Sequence, residues 1–285
     1  MLGERLVNQV SDLDALEAQS SGSSFYAAMK LMPKAERRAM FAIYAFCRQV
    51  DDIADDGVGS REDRAAALDA LRADIEALYD GRPAGKAAFL CGPVKQFGMA
   101  KADFLAVIDG MAMDVAADIR APDLATFDLY CDRVASAVGR LSVKAFGMEE
   151  QPGLQLAHHL GRALQQTNIL RDVDEDAGIG RLYMPRELLE AAGVTTDDPA
   201  LAIADLKLDG ACRALAKMAH EHYAFADKVM KAKPKGRLMA PKLMGAVYGT
   251  ILSEMETAGW APPRRRVKLS KPRLLLILLR CGLGL

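Results

Sequence analysis

The stretch "QQTNILRDVDED" (165–176) puts Gln165, Asn168, Asp172 and Asp176 at i, i+3, i+7 and i+11. On a helix that spacing draws one continuous polar stripe, because residues three and four apart stand one above another. Ile169, Leu170 and Val173 take other faces. A core helix does not usually carry four polar side chains along one line without partners, since each would lose its hydration. A calcium loop starting at Asp172 fails: it needs Gly at its sixth position and Glu at its twelfth, where this chain has Ala177 and Tyr183.

A second stretch, "FCRQVDDIADD" (46–56), repeats the arrangement. Asp51 and Asp55 are four apart and share a helical face, with Arg48 one turn before Asp51 and Tyr44 one turn before Arg48. Like charges at that spacing repel unless a cation offsets them. Paired carboxylates suit Mg²⁺, a hard cation held by one or two carboxylates together with substrate phosphates. A neighbouring arginine suits a phosphate, which it grips through two N–H groups at once. A solvated helix end also carries acidic clusters. Here the flanks "MFAIYAFC" and "QV" are apolar, which points to a helix that is largely buried.

The surrounding chain reads as helix throughout. Of 285 residues, 51% are hydrophobic and only 6% aromatic, with few β-branched runs, so summed propensity favours helix. Helices are expected over 34–56, 61–79, 101–119, 123–147, 153–177, 197–232 and 237–259, with a looser stretch around "CGP" (91–93). No alternating strand pattern, fixed-period repeat or long biased linker interrupts them. The expectation is one all-α domain over residues 1–285, a helical bundle with a central cavity. A net charge of −1 argues against a nucleic-acid binder. Five scattered cysteines without a C-x-x-C pair fit reduced thiols in the cytoplasm. The opening residues lack the apolar core of a signal peptide, and "LLLILL" (274–279) is far short of the roughly 20 residues a membrane span needs.

Two carboxylate pairs on separate helices, facing each other across an apolar cavity, suit the ionisation of a prenyl diphosphate. Metal ions neutralise the leaving group, and dry walls of Ala, Leu, Met and Phe keep water from a carbocation. Other readings fit less well. A head-to-tail elongating enzyme also carries the D-D-x-x-D of Asp51, Asp52 and Asp55, but normally repeats it, whereas here Asp172 to Asp176 read D-V-D-E-D. The N-x-x-x-S/T-x-x-x-E run of terpene cyclases is missing. A non-catalytic helical assembly factor should have lost some of these aspartates.

Together with the aspartate motifs, "YCDRVASAVGRLSVKAFG" (130–147) and "LGRALQQTNILRDVDEDAGIGRLYMP" (160–185) resemble the squalene/phytoene synthase family, from about Ser21 to Ser270. "SSFYAAMKLMP" (23–33) and "GRLYMPRELL" (180–189) are most similar to its bacterial presqualene diphosphate synthase branch, in hopanoid pathways. Phytoene synthases more often read YCYxVAGxVG where this chain has "YCDRVASAVG" (130–139). The resemblance implies the isoprenoid-synthase fold and head-to-head (1'-2-3) joining of two farnesyl diphosphates to presqualene diphosphate. The alternatives are a phytoene synthase using geranylgeranyl diphosphate and a complete NADPH-dependent squalene synthase. The expected cofactor is Mg²⁺, with Mn²⁺ as a substitute and NADPH not used.

Residue by residue, the resemblance assigns Asp51 and Asp55 to one metal pair and Asp172 and Asp176 to the other, with Asp52 as a helper. Arg48 and Arg171 would contact phosphate, above a polar floor of Gln165 and Asn168. Tyr130 matches a tyrosine of the chemical step. Ser21, Ser24 and Phe25 match a segment covering the site. Tyr44 belongs to the first motif's polar face, and Tyr183 and Tyr248 match tyrosines directed at the diphosphates. A late arginine is also implied, and "PPRRRV" (262–267) leaves its register open between Arg265 and Arg266.

Some residues keep two readings. By spacing alone Tyr130 fits the core as well as the site. Ala135, Ala137 and Gly139 either permit close helix packing or leave room for a prenyl chain, and "GMAMD" (110–114) either lines the cavity or packs. The histidines, His158, His159, His220 and His222, have no metal spacing tied to the aspartates and are read as structural. The tail from about 264, basic and then apolar, suits either peripheral contact with the inner membrane face or a terminal helix packed on the bundle. Squalene-forming enzymes are the expected downstream partners.

Overall fold

The computed structural model describes Met29, residues 32–54 and residues 59–283. Ser21, Ser24, Phe25 and Asp55 lie outside the described residues. Among those described there are helices and one isolated parallel bridge, Arg120 to Leu182, but no strand.

Helix α1 (Lys34–Ala54) buries Met40, Phe41, Phe46 and Val50 along its inner face. Phe46 meets Phe104 edge to face at 5.1 Å, the geometry that the ring quadrupole favours. Helix α2 (Arg61–Tyr79) starts with a reciprocal capping box between Ser60 and Asp63. A 3₁₀ turn (Gly85–Leu90) and the short α3 (Cys91–Phe97) occupy the stretch expected to be loose. Next come α4 (Lys101–Ala116), α5 (Leu124–Cys131), a π-helical turn (Asp132–Ser136) and α6 (Ala137–Ala145). The chain goes on through α7 (Glu150–Arg171), α8 (Val173–Gly178), α9 (Arg186–Ala192) and α10 (Pro199–Ala204). It ends with α11 (Leu208–Lys231), α12 (Met239–Ala258) and α13 (Lys271–Leu283). Helix α7 is the central post, packed against α5, the π turn, α6, α11 and α12.

Three expected helices are broken, each for a local reason. The 153–177 segment breaks at Asp172, whose φ of −105° and ψ of 14° end α7 and start α8. The 123–147 segment carries the π turn, held where two glycines let backbones touch. A Cβ on Gly161 would sit 2.7 Å from the Ser136 Cα, and one on Gly110 would sit 2.6 Å from a Val134 methyl. Arg162, buried in α7, anchors the same turn with hydrogen bonds to Asp128 (2.7 and 2.8 Å), Asp132 (3.1 Å) and the Ser136 hydroxyl (2.9 Å). The 197–232 segment divides at Asp205, which is extended (ψ 125°) and accepts from the Lys207 N–H.

The last turn of α7 is tied to the segment after α12. The Trp260 indole N–H donates to the Leu170 carbonyl at 3.0 Å, satisfying an acceptor that a helix end leaves open. That bond holds the start of the segment whose Arg266 pairs with Asp172.

Candidate active site

A polar cavity of about 370 Å³ opens where α1, α4, α5, α7 and α8 meet. Asp51 comes from α1, Asp114 from α4, Tyr130 from α5, and Gln165, Asn168 and Arg171 from α7. Asp172 at the break, Asp176 on α8, and Arg181 and Tyr183 just beyond complete it. The structure therefore brings Asp51, Asp172, Asp176, Gln165, Asn168, Arg171, Tyr130 and Tyr183 to one cavity.

Asp172 is the most tightly held of these acids. Arg171 donates to its two oxygens at 2.8 and 2.6 Å, and Arg266 donates to one of them at 2.7 Å. Burial opposes its ionisation, but the two guanidinium groups outweigh that and hold its carboxyl below the usual range. Asp176 lies on the other side of the balance. Burial first, then the neighbouring Asp172 charge, push its carboxyl up to about 7, although Arg181 pulls the other way.

Opposite them lies a buried anion that sequence reasoning left open. Asp114 is only 2% exposed. It accepts the Tyr183 hydroxyl at 2.7 Å and the Tyr130 hydroxyl at 3.2 Å, and the Arg181 Nε lies 4.0 Å away. The two tyrosine rings stack at 4.9 Å. Burial, reinforced by Tyr183 and the Asp114 charge, raises the Tyr130 hydroxyl well above its ordinary value, so it remains a neutral donor. Asp114 had a weak signal, an acid closing the apolar run "GMAM" (110–113). Arg181 had none, since its proximity to Asp114 exists only in the folded chain.

The other expected residues fall elsewhere. Arg48 does not line the cavity: its half-exposed guanidinium turns to Asp52 at 2.7 Å, with Asp51 at 3.9 Å. Of the two late arginines, Arg266 reaches into the acidic cluster, pairing with Asp172 and, at 3.4 Å, with Glu175. Both are exposed and line a groove along the segment after α12 rather than the polar cavity. Arg264 pairs with Asp174 at 2.7 Å.

A second, apolar cavity of about 320 Å³ adjoins the first and is lined by residues such as Met40, Ile43, Val138, Leu164 and Met244. Cys47, Val134, Gln165 and Asn168 line both chambers. Tyr44 and Tyr248 face this apolar chamber, and the Arg171 guanidinium lies 5.9 Å over the Tyr248 ring. Ala135 and Gly139 line it too, whereas Ala137 is buried in the core. A charged chamber opening into an oily one matches a ligand with a diphosphate head and a hydrocarbon tail.

A sequence model of the squalene/phytoene synthase family matches residues 18–273. The chain belongs to that family. The presqualene diphosphate synthase of Zymomonas mobilis subsp. mobilis is 57% identical over 277 residues, which cover 97% of this chain and 95% of that protein. The presqualene diphosphate synthase of Rhodopseudomonas palustris is 55% identical over 91% of this chain and 92% of its own. Among solved structures, a dehydrosqualene synthase in complex with ligand superposes with a TM-score of 0.82 at 26% identity, covering 96% of both chains. Squalene/phytoene synthases with this all-α architecture are prenyltransferases, and this chain is one of them.

Proposed function

We propose that this protein joins two farnesyl diphosphates head to head, releasing one diphosphate and forming presqualene diphosphate. The observation that carries this reading is the pairing of an aspartate-lined chamber with an adjoining apolar one, in a chain 57% identical to a presqualene diphosphate synthase. The phytoene alternative, which uses C20 substrates, is less well supported, since relatives 52–57% identical carry the presqualene name.

The residues fit Mg²⁺. Burial first, and then the neighbouring Asp172 charge, push the Asp176 carboxyl up to about 7, a mismatch that a divalent cation relieves. Beside them the Asn168 side-chain oxygen is buried with no hydrogen-bond partner among the described residues. Asp172 and Asp176 would hold metal on one wall, and Asp51 with Asp55 on the other, with Mn²⁺ as a substitute. Bound there, the metal neutralises the charge that builds on the departing diphosphate.

The chain's own groups do the rest. Arg171 and Arg266, which pair with Asp172, are the guanidinium groups placed to contact diphosphate oxygens. The donor's C1–O bond breaks and its electron pair leaves with diphosphate. The acceptor's C2–C3 double bond attacks C1, and loss of one proton closes the cyclopropane. Tyr130, kept neutral beside Asp114, donates a hydrogen bond and holds its own proton, which leaves the released diphosphate to take the one lost. Tyr183 orients Tyr130 by stacking, and Gln165 sits at the junction where head and tail part. The apolar chamber, with Tyr44 and Tyr248 in its wall, holds a prenyl chain and excludes water.

Among the described residues no helix is long and apolar enough to cross a membrane. Helix α13 packs Leu274, Ile277 and Leu278 on the bundle but leaves Leu275, Leu276 and Leu279 about half exposed, beside Arg280. This arrangement supports peripheral contact with an anionic membrane surface, from which downstream squalene-forming enzymes would draw the product.

The test is mass spectrometry of products from purified protein with farnesyl diphosphate and Mg²⁺, with and without NADPH. Presqualene diphosphate in both conditions, lost in Asp51→Ala and Asp172→Ala, is expected. Squalene appearing only with NADPH would make the protein a complete squalene synthase. Phytoene from the C20 substrate, with the C15 one untouched, would move it to the carotenoid branch.

A further inference from the structure

Three of the four histidines, which share no motif in sequence, converge in the fold. His158 and His159 lie on α7 and His222 on α11. One ring nitrogen from each lies within 4.8 Å of the other two. His159 and His222 already face each other through their Nδ1 atoms at 3.0 Å, with ring centroids 5.2 Å apart. None of the three lines either chamber of the active site. We infer that His158, His159 and His222 form a site for a first-row transition ion of the Zn²⁺, Ni²⁺ or Cu²⁺ class, clamping α7 to α11.

Ligand type and geometry both point to that class. Imidazole nitrogens suit zinc, nickel and copper, whereas Mg²⁺ takes oxygen ligands. With Zn–N bonds of about 2.0–2.1 Å, two ligands of a tetrahedron lie roughly 3.3–3.4 Å apart. The 3.0 Å between the two Nδ1 atoms is close to that edge, so this pair needs little movement. His158 is exposed, and its ring already meets His159 edge to face at 4.7 Å, with a nitrogen within reach as the third ligand. A fourth position is left for water. One of the two neutral imidazoles that face each other through Nδ1 carries its proton there; when a metal takes both Nδ1 atoms, that ring shifts its proton to Nε2 and stays neutral.

The electrostatic surroundings are compatible. Burial, with the neighbouring histidines and Arg162, pushes His222 down to about 4, and burial also lowers His158 and His159. All three are thus neutral at pH 7, the form that ligates metal. Asp128 and Asp132 act in the opposite sense to Arg162 on His158, and Asp128 does so on His222. The Arg162 charge is committed to those two carboxylates. Phe225 stacks on His159 at 4.7 Å and fixes its ring plane. The fourth histidine, His220, bonds Glu256 at 2.8 Å instead and serves as an internal control.

The test is Zn²⁺ binding to chelator-treated full-length protein by competition with a chromophoric chelator. Excess Mg²⁺ occupies the aspartate site, so that zinc bound there is not counted. One equivalent should bind per chain. His159→Gln, His222→Gln and His158→Ala should each weaken it at least tenfold, and His220→Ala should leave it unchanged. Zn²⁺ should also raise the melting temperature of the parent protein but not of the histidine variants. Histidine side-chain ¹H–¹⁵N spectra should show the three rings shifting together. Absence of stoichiometric binding under excess Mg²⁺ would overturn the inference, as would binding that survives His159→Gln with His222→Gln. Failure of the farnesyl diphosphate assay would leave it untouched, because the site is separate from the two chambers.

Discussion

Asp176 makes the stability of the metal-free protein depend on pH in a direction opposite to most carboxylates. Its carboxyl is raised from 3.8 to about 7, first by burial and then by Asp172. Between those values the folded protein keeps a proton that the unfolded chain has already released. Stability must then fall as pH rises through that window and level off above about 7. At about 1.36 kcal/mol per unit, the full effect is about 4 kcal/mol, of which roughly 60% falls between pH 5 and 8. Solvent contact of the half-buried carboxyl reduces that share to about 1–2.5 kcal/mol. The lowered histidines work oppositely: the unfolded chain binds more protons than the fold below about 6.5, so their contribution rises with pH. Subtracting the profile of Asp176→Asn, which retains the histidines, isolates the carboxyl. Urea unfolding followed by circular dichroism in EDTA, at pH 5 and pH 8, is the assay. The variant should gain about 1–2.5 kcal/mol on the parent protein between the two pH values. Saturating Mg²⁺ should abolish or reverse that gain, because it stabilises the ionised form. Parallel profiles in EDTA, or a parent protein that gains on the variant as pH rises, would refute the reasoning.

Other consequences are equally direct. Gly161→Ala puts a methyl 2.7 Å from the Ser136 Cα, a backbone atom that cannot swing aside, and should cost about 1–3 kcal/mol in chemical denaturation. Asp114→Asn keeps the shape but removes the anion that receives both tyrosine hydroxyls. It should lower kcat by up to about a hundredfold through misplacement of Tyr130, with a much smaller change in KM in steady-state kinetics. Replacing Leu275, Leu276 and Leu279 with serine should release the protein from phosphatidylglycerol vesicles in flotation, with farnesyl diphosphate turnover in detergent unchanged. Flotation that persists in that variant would locate membrane contact elsewhere.

Much of the site is legible in one dimension because its residues sit on helices with a fixed period. Gln165, Asn168 and Asp172 follow a stripe that any helix over 165–172 presents to one side, and Asp51 belongs to a comparable face on α1. Helix content and the apolar walls come from the same source: local spacing and side-chain type. These properties need only the repeat of the backbone and the chemistry of each residue.

What the sequence alone did not determine depends on contacts between segments far apart in the chain. The break at Asp172, the π turn against Gly110 and Gly161, and the choice of Arg266 over Arg265 each result from packing against another helix or segment. So do the burial of Asp114 between Tyr130 and Tyr183, the outward turn of Arg48 to Asp52, and the meeting of His222 with His158 and His159. A helical period states which side chains share a face, but only the assembled bundle states what that face meets. Burial, charge balance and the usable volume of a cavity are sums over all the neighbours, and those neighbours are chosen by the tertiary fold.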